Sequence, residues 1–405
     1  MYRKRIMILG ASTLQLPAIK KAKDMGLYVI AVDINPNAIG FNFADQECVV
    51  STIDLDGVLE MAMKYKPDGV MTLASDMPIK TVAYVSEKMG FPSLSLENAI
   101  KATNKAEMRK CLRTNKIPIP NFYIINTYEE YNEVINRMRN RFIVKPVDNS
   151  GSRGVFLVED IEQAESAFQH SKANSREGNI IIEDYMEGQE VSVETITING
   201  ISEIIAITDK LTTNAPYFVE MGHSIQSQLP QFIKDEIEQV TKATISAIGI
   251  QNGPSHTEIK ITPEGPKIVE IGARLGGDCI TSHLVPLATG VDMVEATIKI
   301  VLGEKPSLKK MINKGSAIRY IKNKSGIISH IGSFVDVQAI NGVKKVEILK
   351  NVGDYCSAIF SSSERIGYVI AQSDTAEQAI SVCEEALRKI EIKIENANEV
   401  AGDNI

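Results

Sequence analysis

The first hundred residues alternate short apolar runs with segments of helical periodicity. The runs RIMILG, LYVIAVD and DGVMTLA predict strands, and the segments LPAIKKAKDMG, LDGVLEMAMKYK and PIKTVAYVSEKMG predict helices. Strands that alternate with helices favour a parallel sheet with both faces covered. We therefore expect an α/β domain whose ligand-binding edge, at the carboxyl ends of the strands, carries Gly10, Asp33, Ser75 and Asp76.

A different pattern follows the lysine- and alanine-rich helix near residue 105. The segment from RFIVKPV to IIIEDYMEG predicts a small α+β unit, and EVSVETITING, SEIIAITDK, PSHTEIKIT and PKIVEIGAR predict antiparallel strands. The tail adds the strands GSAIRYI, VKKVEILK and RIGYVIAQ and the helix TAEQAISVCEEALRKI. A chain of 405 residues exceeds one compact core, so we expect several domains.

Composition excludes several classes of protein. The net charge of −7 disfavours nucleic-acid binding, which needs a surplus of lysine and arginine. No apolar run approaches the ~20 residues that span a bilayer, and IMIL is too short for a signal peptide. The five cysteines contain no CxxC pair, so neither a disulfide framework nor a zinc site is indicated. We expect a cytoplasmic protein without membrane or nucleic-acid partners.

Two common nucleotide-binding motifs are missing. GASTLQ retains only the first glycine of GxGxxG, without which the backbone cannot approach a pyrophosphate closely, and GxxxxGK[ST] does not occur. KPVDNSGSRG offers another geometry, in which Lys145 follows the strand FIV and a flexible loop could close over a phosphate with its backbone N–H groups. By itself this stretch equally fits a strand followed by a hairpin turn.

An acidic hairpin favours the phosphate-binding interpretation. Glu258 and Glu270 lie on neighbouring strands joined by the turn TPEGP, so their carboxylates can point to one face. Facing carboxylates repel each other unless a cation such as Mg²⁺ lies between them. By the period of two, His256, Lys260, Gly272 and Arg274 share that face. The intervening residues Ile259, Ile261, Val269 and Ile271 supply the apolar face, so the charged face is either solvated or the wall of a cleft. We favour the cleft.

The order of these motifs resembles the ATP-grasp carboxylate–amine ligases over nearly the whole chain. The similarity rests on Lys105, on Lys145 with its Ser/Gly loop, on IIIEDYMEGQEVSVE, and on Glu258, Glu270 and Arg274. It implies an ATP-grasp fold of α/β and α+β parts: an N-terminal parallel-sheet domain (residues 1–103), an ATP-grasp domain (104–310) with a lid at about 120–185, and a C-terminal α+β domain (311–405) similar to that of biotin carboxylase.

The resemblance also implies roles for individual residues, with ATP and Mg²⁺ (or Mn²⁺) as cofactors. Lys105 and Lys145 would hold the phosphates beneath a closing loop of Ser150, Gly151, Ser152, Arg153 and Gly154. The adenine hinge would be Glu183, Asp184, Tyr185 and Met186, and Glu190 would bind the ribose. Glu258 and Glu270 would hold the metal, Arg274 would stabilise the transferring phosphoryl group, and Arg319 is a weaker candidate at the substrate end.

One departure from the family pattern lies at Gly272, where many relatives have an asparagine. Glycine cannot ligate a metal through a side chain, so water or substrate would have to complete the shell. EIGARLGGD instead resembles the L-amino-acid ligase branch, in which Gly276, Gly277 and Asp278 lie at the substrate pocket. Further candidates for that pocket are His256, Lys260 and His223, the last of which lies in the polar segment VEMGHSIQSQLP that predicts a loop.

The motifs and the resemblance together predict a ligase that forms amides and releases ADP. Its substrates would be a small carboxylate and a small amine of amino-acid type, and the reaction would pass through an acyl phosphate. A phosphoribosylglycinamide synthetase is the alternative enzyme, although no arginine or lysine cluster for a second phosphate is evident near Ser75 and Asp76. An ATP-binding regulatory protein on a degenerate fold is the non-enzymatic alternative. The resemblance leaves a homodimer open.

Overall fold

The computed structural model describes residues 3–138, 140–213, 215 and 217–395. Its first four strands are β1 (Arg5–Leu9), β2 (Tyr28–Asp33), β3 (Gln46–Val49) and β4 (Gly69–Met71). They form one sheet in the order β3-β2-β1-β4, and all its pairs are parallel. The predicted N-terminal parallel sheet is thereby confirmed.

Helices cover both faces of this sheet, because neighbouring residues of each buried strand point to opposite sides. The helices are α1 (Leu16–Asp24), α2 (Leu55–Tyr65) and α3 (Ile79–Met89). In β1, Ile6 and Ile8 belong to the same apolar core as residues of α1. Met7 and Leu9 belong to the opposite core, which contains residues of α2 and α3.

A second sheet follows two short helices, α4 (Leu96–Thr103) and α5 (Lys105–Thr114). Its elements are β5 (Phe122–Ile125), α6 (Tyr128–Ile135), β6 (Phe142–Pro146), β7 (Phe156–Val158), α7 (Ala164–Ala173) and β8 (Ile180–Asp184). The strands are antiparallel in the order β5-β8-β6-β7. The helix predicted over IEQAESAFQH starts with a 3₁₀ turn at Ile161–Gln163, and α7 follows it.

The remaining elements build one long sheet and one short sheet. In chain order they are β9 (Gln189–Ile198), β10 (Ile201–Thr212), β11 (Glu220–Ile225), α8 (Gln231–Ile248), β12 (Gly253–Thr262), β13 (Gly265–Gly272), α9 (Val285–Thr289), α10 (Met293–Val301), β14 (Gly315–Tyr320), β15 (Gly326–Ile331), α11 (Val335–Gln338), β16 (Val343–Ile348), β17 (Tyr355–Cys356), β18 (Gly367–Ser373), α12 (Ala376–Lys389) and β19 (Ile392–Glu395).

The long sheet has eight antiparallel strands in the order β13-β12-β9-β10-β11-β14-β18-β16. The short sheet has the order β17-β15-β19. The predicted antiparallel strands are therefore present, while the division of the chain at residues 103 and 310 stays a prediction. Within the described ranges, no helix combines the length and apolar character needed to cross a membrane.

Candidate active site

A cavity of ≈ 290 Å³ is bounded by the second sheet, by the long sheet and by the loop after β4. Most of the residues predicted for the site line its wall. The described residues Gly154, Gly276 and Arg319 are predicted site residues that do not line it. The charged face of the acidic hairpin is therefore the wall of a cleft rather than a solvated surface.

The two predicted phosphate lysines lie at one end of this cavity. Lys105 is the first residue of α5, whose N-cap Asn104 accepts hydrogen bonds from the second and third residues of the helix. Its Nζ donates to the carbonyl of Asn149 at 2.7 Å and lies 3.0 Å from Glu270 Oε2. Lys145 lies within β6 rather than after the strand, and it is buried.

A buried ion-pair triad holds Lys145 in place. Its Nζ lies 2.8 Å from Glu183 Oε2, and Arg109 Nε donates to Glu183 Oε1 at 2.7 Å. Burial alone raises the pKa of Glu183, but Arg109 and Lys145 outweigh this effect and lower the pKa to about 2. Burial lowers the pKa of Lys145, and Glu183 opposes that change. Arg109 was not predicted, although helical spacing places it one turn after Lys105.

The loop predicted to close over the phosphates contains positive φ angles, which glycine adopts more readily than other residues. Gly151 and Gly154 have φ values of +66° and +80°, and Ser152 has +57°. A Cβ at Gly154 would lie 2.6 Å from the Cβ of Asn174, so this glycine allows a close packing contact behind the loop. Ser150 to Arg153 line the cavity, and Arg153 Nε donates to the carbonyl of Ser150.

The predicted adenine hinge also lines the cavity, but part of its backbone is already hydrogen-bonded. The N–H groups of Asp184 and Tyr185 donate to the carbonyls of Asn121 and Arg141, each at 3.1 Å. The Tyr185 ring stacks on Phe218 with centroids 6.3 Å apart. Phe218 lines the same cavity and supplies an aromatic wall that was not predicted.

Glu190, the predicted ribose ligand, belongs to a charged cluster centred on Lys210. The Lys210 side chain is 3% exposed. Its Nζ donates to Glu190 Oε1 at 2.5 Å and lies 3.4 Å from Glu258 and 3.7 Å from Glu220. Burial opposes the charge of Lys210, but the three carboxylates raise its pKa well above its ordinary value. Lys260 Nζ lies 3.4 Å from Glu190 Oε2.

The predicted metal ligands face each other across the hairpin. Glu258 on β12 pairs directly with Glu270 on β13, and a bulge follows this pair. The bulge leaves Val269 without a partner on β12, and Val269 lines the cavity. Its position in the alternation had predicted that it would belong to the apolar face. Two carboxylates with phosphate oxygens suit Mg²⁺. The described residues contain no group of three or more His, Cys, Asp or Glu side chains that could hold a metal ion by themselves.

The absence of a side chain at Gly272 leaves space for the ion pair between Asp76 and Arg274 rather than for a metal ligand. A Cβ at Gly272 would lie 2.9 Å from Asp76 Oδ1 and 3.2 Å from Arg274 Nε. Arg274 donates to both oxygens of Asp76, from Nε at 2.8 Å and from Nη2 at 3.1 Å. Burial alone raises the pKa of Asp76, but Arg274 outweighs it and lowers that pKa. Through Asp76, the edge of the N-terminal sheet therefore contacts Arg274, the predicted phosphoryl-binding arginine.

His256 connects the predicted metal-binding end to a buried carboxylate. Its Nδ1 lies 2.6 Å from Glu194 Oε1, and its Nε2 lies 3.4 Å from Glu258 Oε1. Burial lowers the pKa of His256, but Glu194 and Glu258 outweigh this effect and raise it to about 9. A Cβ at Gly276 would lie 2.7 Å from Glu194 Oε2, so Gly276 makes space for this pair without lining the cavity.

The substrate end predicted from sequence requires two corrections. His223 lies in β11, not in a loop, and its Nε2 is 3.2 Å from Asp278 Oδ2. Arg319 points away from the cavity, and its Nη1 donates to the backbone carbonyls of His223 and Ile318. Strand alternation explains this direction, because Arg319 and its neighbours in β14 face opposite sides of the sheet. Asp278 lines the cavity and Arg319 does not.

Comparison with known families identifies two parts of the chain. Residues 138–282 match the ATP-grasp domain model, and residues 320–395 match L-amino acid ligase C-terminal domain 2. A phosphoribosylamine–glycine ligase of Methanocaldococcus jannaschii is 24% identical over 95% of this chain and 92% of its own length. An L-arginine-specific L-amino acid ligase of Bacillus subtilis is 23% identical over 74% of each chain.

Solved structures show the same fold. An L-amino acid ligase from Bacillus licheniformis superposes with a TM-score of 0.85 at 22% identity, covering 98% of this chain and 100% of that chain. A biotin carboxylase domain from Hydrogenobacter thermophilus, in complex with MgADP, has a TM-score of 0.76 at 16% identity, covering 97% of this chain and 91% of that chain. ATP and Mg²⁺ are typical cofactors of such proteins. The chain therefore contains a match to an ATP-grasp domain at residues 138–282 and a match to an L-amino acid ligase C-terminal domain at residues 320–395, within a fold that it shares with a solved L-amino acid ligase.

Proposed function

We propose that this chain is an ADP-forming carboxylate–amine ligase that joins small amino-acid-like substrates through an acyl phosphate. One observation carries this proposal: a single cavity contains the lysine pair, the facing carboxylates Glu258 and Glu270, and Arg274. Phosphoryl transfer depends on positioning and on charge neutralisation rather than on a protein nucleophile. The cavity supplies these two requirements at neighbouring positions.

Three of the cations in the cavity have an assigned part in the proposed reaction. Lys105 and Lys145 would exchange their present partners, Glu270 and Glu183, for phosphate oxygens of ATP. Arg274 would leave part of its contact with Asp76 to bind the transferring phosphoryl group. Mg²⁺ held by Glu258 and Glu270 would neutralise charge on the phosphate oxygens.

The charges at the substrate end support an amino acid rather than a second phosphorylated substrate. With Arg274 assigned to the transferring phosphoryl group, Arg365 is the arginine that remains beside Asp278, and it donates to both oxygens of that carboxylate. Its charge is thus already neutralised by an aspartate. A phosphoribosyl substrate would need cations free to bind a further phosphate. The match of residues 320–395 to the L-amino acid ligase C-terminal domain also supports the amino-acid assignment.

A phosphoribosylglycinamide synthetase activity is the second candidate, since a phosphoribosylamine–glycine ligase is among the relatives. The test measures ADP and phosphate release with ATP and Mg²⁺. Pairs of amino acids are compared with phosphoribosylamine plus glycine. We expect turnover with amino-acid pairs; turnover confined to phosphoribosylamine and glycine would contradict that assignment. Release of AMP and pyrophosphate would refute the acyl-phosphate scheme.

An ATP-binding regulatory protein would give a third result. It would bind nucleotide in a calorimetric titration but would release no ADP with any carboxylate and amine mixture. The complete set of Lys105, Lys145, Glu270 and Arg274 in one cavity argues for turnover instead.

A further inference from the structure

Glu220, the first residue of β11, lines the cavity because of a bulge in the long sheet. In a regular strand Glu220 and His223 would face opposite sides, since they are separated by an odd number of residues. Lys210 pairs with His223 and Thr212 pairs with Glu220, so Met221 has no partner on β10. Both Glu220 and His223 therefore line the cavity, and bulges commonly direct side chains in this way beside active sites. The Glu220 side chain is 23% exposed, so a ligand can reach it.

The charge of Glu220 is poorly compensated by its neighbours. Lys210 Nζ lies 3.7 Å away, which exceeds hydrogen-bond distance, and no other described side chain donates to this carboxylate. The same ammonium lies 2.5 Å from Glu190 and 3.4 Å from Glu258, so one positive charge serves three carboxylates. Lys260 also contacts Glu190, and Glu258 is a predicted metal ligand. Glu220 is thus the member of this group that is left without a cation of its own.

Asp278, the other carboxylate at the substrate end, differs from Glu220 in this respect. It accepts hydrogen bonds from Arg365 Nη1 and Nη2, each at 2.7 Å, and its Oδ2 lies 3.2 Å from His223 Nε2. Arg365 Nη1 also donates to the backbone carbonyl of Glu220 at 3.1 Å, which places the two acidic residues side by side. Since Asp278 is already neutralised, the free negative charge at this end belongs to Glu220.

Glu220 also lies close to the predicted metal-binding end. Its carboxylate and that of Glu258 both approach Lys210 Nζ, at 3.7 Å and 3.4 Å, so the two carboxylates are separated by no more than the sum of these distances. In an α-amino acid, the α carbon alone separates the ammonium nitrogen from the carboxyl carbon. An amino acid whose carboxylate lies beside Glu258 can therefore bring its ammonium group to Glu220.

We propose that Glu220 binds the α-ammonium group of the amino acid whose carboxylate is phosphorylated. This inference rests on the proposed ligase function. The ammonium group donates charge-assisted hydrogen bonds to the Glu220 carboxylate and supplies the positive charge that this residue lacks. A carboxylic acid without an ammonium group leaves that charge uncompensated, so Glu220 selects amino acids over plain carboxylic acids.

A hydroxamate assay isolates the binding of the carboxylate substrate, because excess hydroxylamine replaces the amine substrate. Hydroxylamine attacks the acyl phosphate and releases phosphate. The assay contains ATP, Mg²⁺, hydroxylamine and an equimolar mixture of the standard amino acids, and mass spectrometry identifies the hydroxamates. The amino acid that gives the most hydroxamate with the wild type is then titrated, beside the carboxylic acid that lacks only its ammonium group. The variants are Glu220→Gln and Glu220→Asp, with Glu203→Gln, an exposed glutamate of β10, as the matched control.

We expect Glu220→Gln to raise the KM for the amino acid at least about 10-fold, as for the loss of a hydrogen bond to a charged group. The KM for ATP should stay within about 3-fold of the wild-type value, and Glu203→Gln should change neither constant. Glu220→Asp keeps the charge on a shorter side chain, so its KM for the amino acid should lie between those of wild type and Glu220→Gln. A smaller folded fraction lowers the apparent kcat and leaves KM unchanged, so reduced stability cannot produce this result.

Three results would overturn the inference. The first is a fall in kcat in Glu220→Gln with an unchanged KM for the amino acid. The second is a loss confined to the hydroxamates of lysine, arginine and histidine, which would assign Glu220 to a substrate side chain. The third is a wild-type protein that uses the carboxylic acid without an ammonium group as well as it uses the amino acid.

The wild-type protein tests the underlying function separately. Release of ADP that depends on an amino acid supports the ligase activity whatever the variants show. Absence of both ADP and hydroxamate with every amino acid would refute the ligase function and the inference with it.

Discussion

Replacing Glu183 with glutamine removes the negative charge from a buried group of three side chains. Arg109 and Lys145 then retain two positive charges that are almost fully excluded from water. Removing one partner of a buried ion pair typically costs about 3–5 kcal/mol, because the remaining charge stays buried without compensation. We expect Glu183→Gln to lower the free energy of unfolding by a similar amount.

The pKa of Glu183 gives an independent magnitude for the same interaction. The carboxyl has an ordinary value of 4.5 and a pKa of about 2 in the folded chain. That difference corresponds to about 3 kcal/mol of stabilisation by the ionised form. Because the pKa of Glu183 is lower in the folded chain than in the unfolded chain, the stabilisation is complete above pH 4.5 and is lost as the pH falls through 2. The difference in the free energy of unfolding between wild type and Glu183→Gln should therefore be roughly 1 kcal/mol smaller at pH 4 than at pH 7.

Urea unfolding followed by circular dichroism measures this difference, since the chain contains no tryptophan. The matched control is Glu107→Gln, which removes a glutamate that is 44% exposed and 2.8 Å from Lys110. Exposed pairs contribute about 0–1 kcal/mol, so the control should unfold close to wild type. If the free energy of unfolding of Glu183→Gln at pH 7 lies within about 0.5 kcal/mol of the wild-type value, which is the size of an ordinary surface change, the reasoning is refuted.

Four further substitutions test the proposed site. Lys145→Ala should weaken ATP binding at least roughly 10-fold in calorimetry, since it removes a buried cation from the phosphate end; unchanged affinity would contradict that role. Glu270→Ala should raise the Mg²⁺ concentration needed for half-maximal turnover, because one carboxylate is left to hold the cation; an unchanged metal titration would exclude it as a ligand. Arg274→Ala should lower kcat on the order of 10²-fold with little change in the KM for ATP, and an effect on that KM alone would assign it to nucleotide binding. Gly272→Asn should lower kcat instead of improving metal binding, because the new Cβ meets Asp76 at 2.9 Å; tighter Mg²⁺ binding with full turnover would refute this.

Local sequence patterns were sufficient for many of the helices and strands and for the acidic hairpin, although β11 was predicted as a loop and α8 was not predicted. The alternation of apolar and polar residues in β12 and β13, with the short turn between them, placed Glu258 opposite Glu270. The strand and helix alternation likewise indicated the parallel sheet and its strands β1, β2 and β4, whereas β3 was not predicted. These predictions succeeded because each depends on residues close in sequence.

The partners of the buried charges could not be predicted in the same way. Arg109 meets Glu183 across 74 residues, and Arg274 meets Asp76 across 198 residues. No periodicity specifies which distant carboxylate a guanidinium contacts, because that choice depends on how the sheets pack. The structure therefore supplied Arg109 and Lys210, both of which the sequence patterns had left unassigned.

The choice between Arg319 and Arg365 shows the same limit within one domain. The segment AIRYI predicted a strand correctly, but the pattern did not show which face of β14 meets the cavity. Tyr320 proved to lie beneath Arg365, whereas Arg319 donates to backbone carbonyls behind the site. Arg365 begins the predicted strand RIGYVIAQ, but β18 starts only at Gly367, so Arg365 lies in the connection after a short turn and the direction of its side chain required the tertiary structure.

The pairing of β11 with β14 restricts how this chain could be recombined with its relatives. Gly222 to Ile225 exchange main-chain hydrogen bonds with Ser316 to Arg319, so the long sheet continues across the predicted boundary at residue 310. A chimaera spliced at that boundary would join strands whose register and twist arose in different proteins. A splice that keeps β14 and β18 with their own β11, and that exchanges only the segment of residues 322–362 between those two strands, preserves the β11-β14-β18 ladder. It replaces the edge strand β16 and alters Ser362 at the cavity wall.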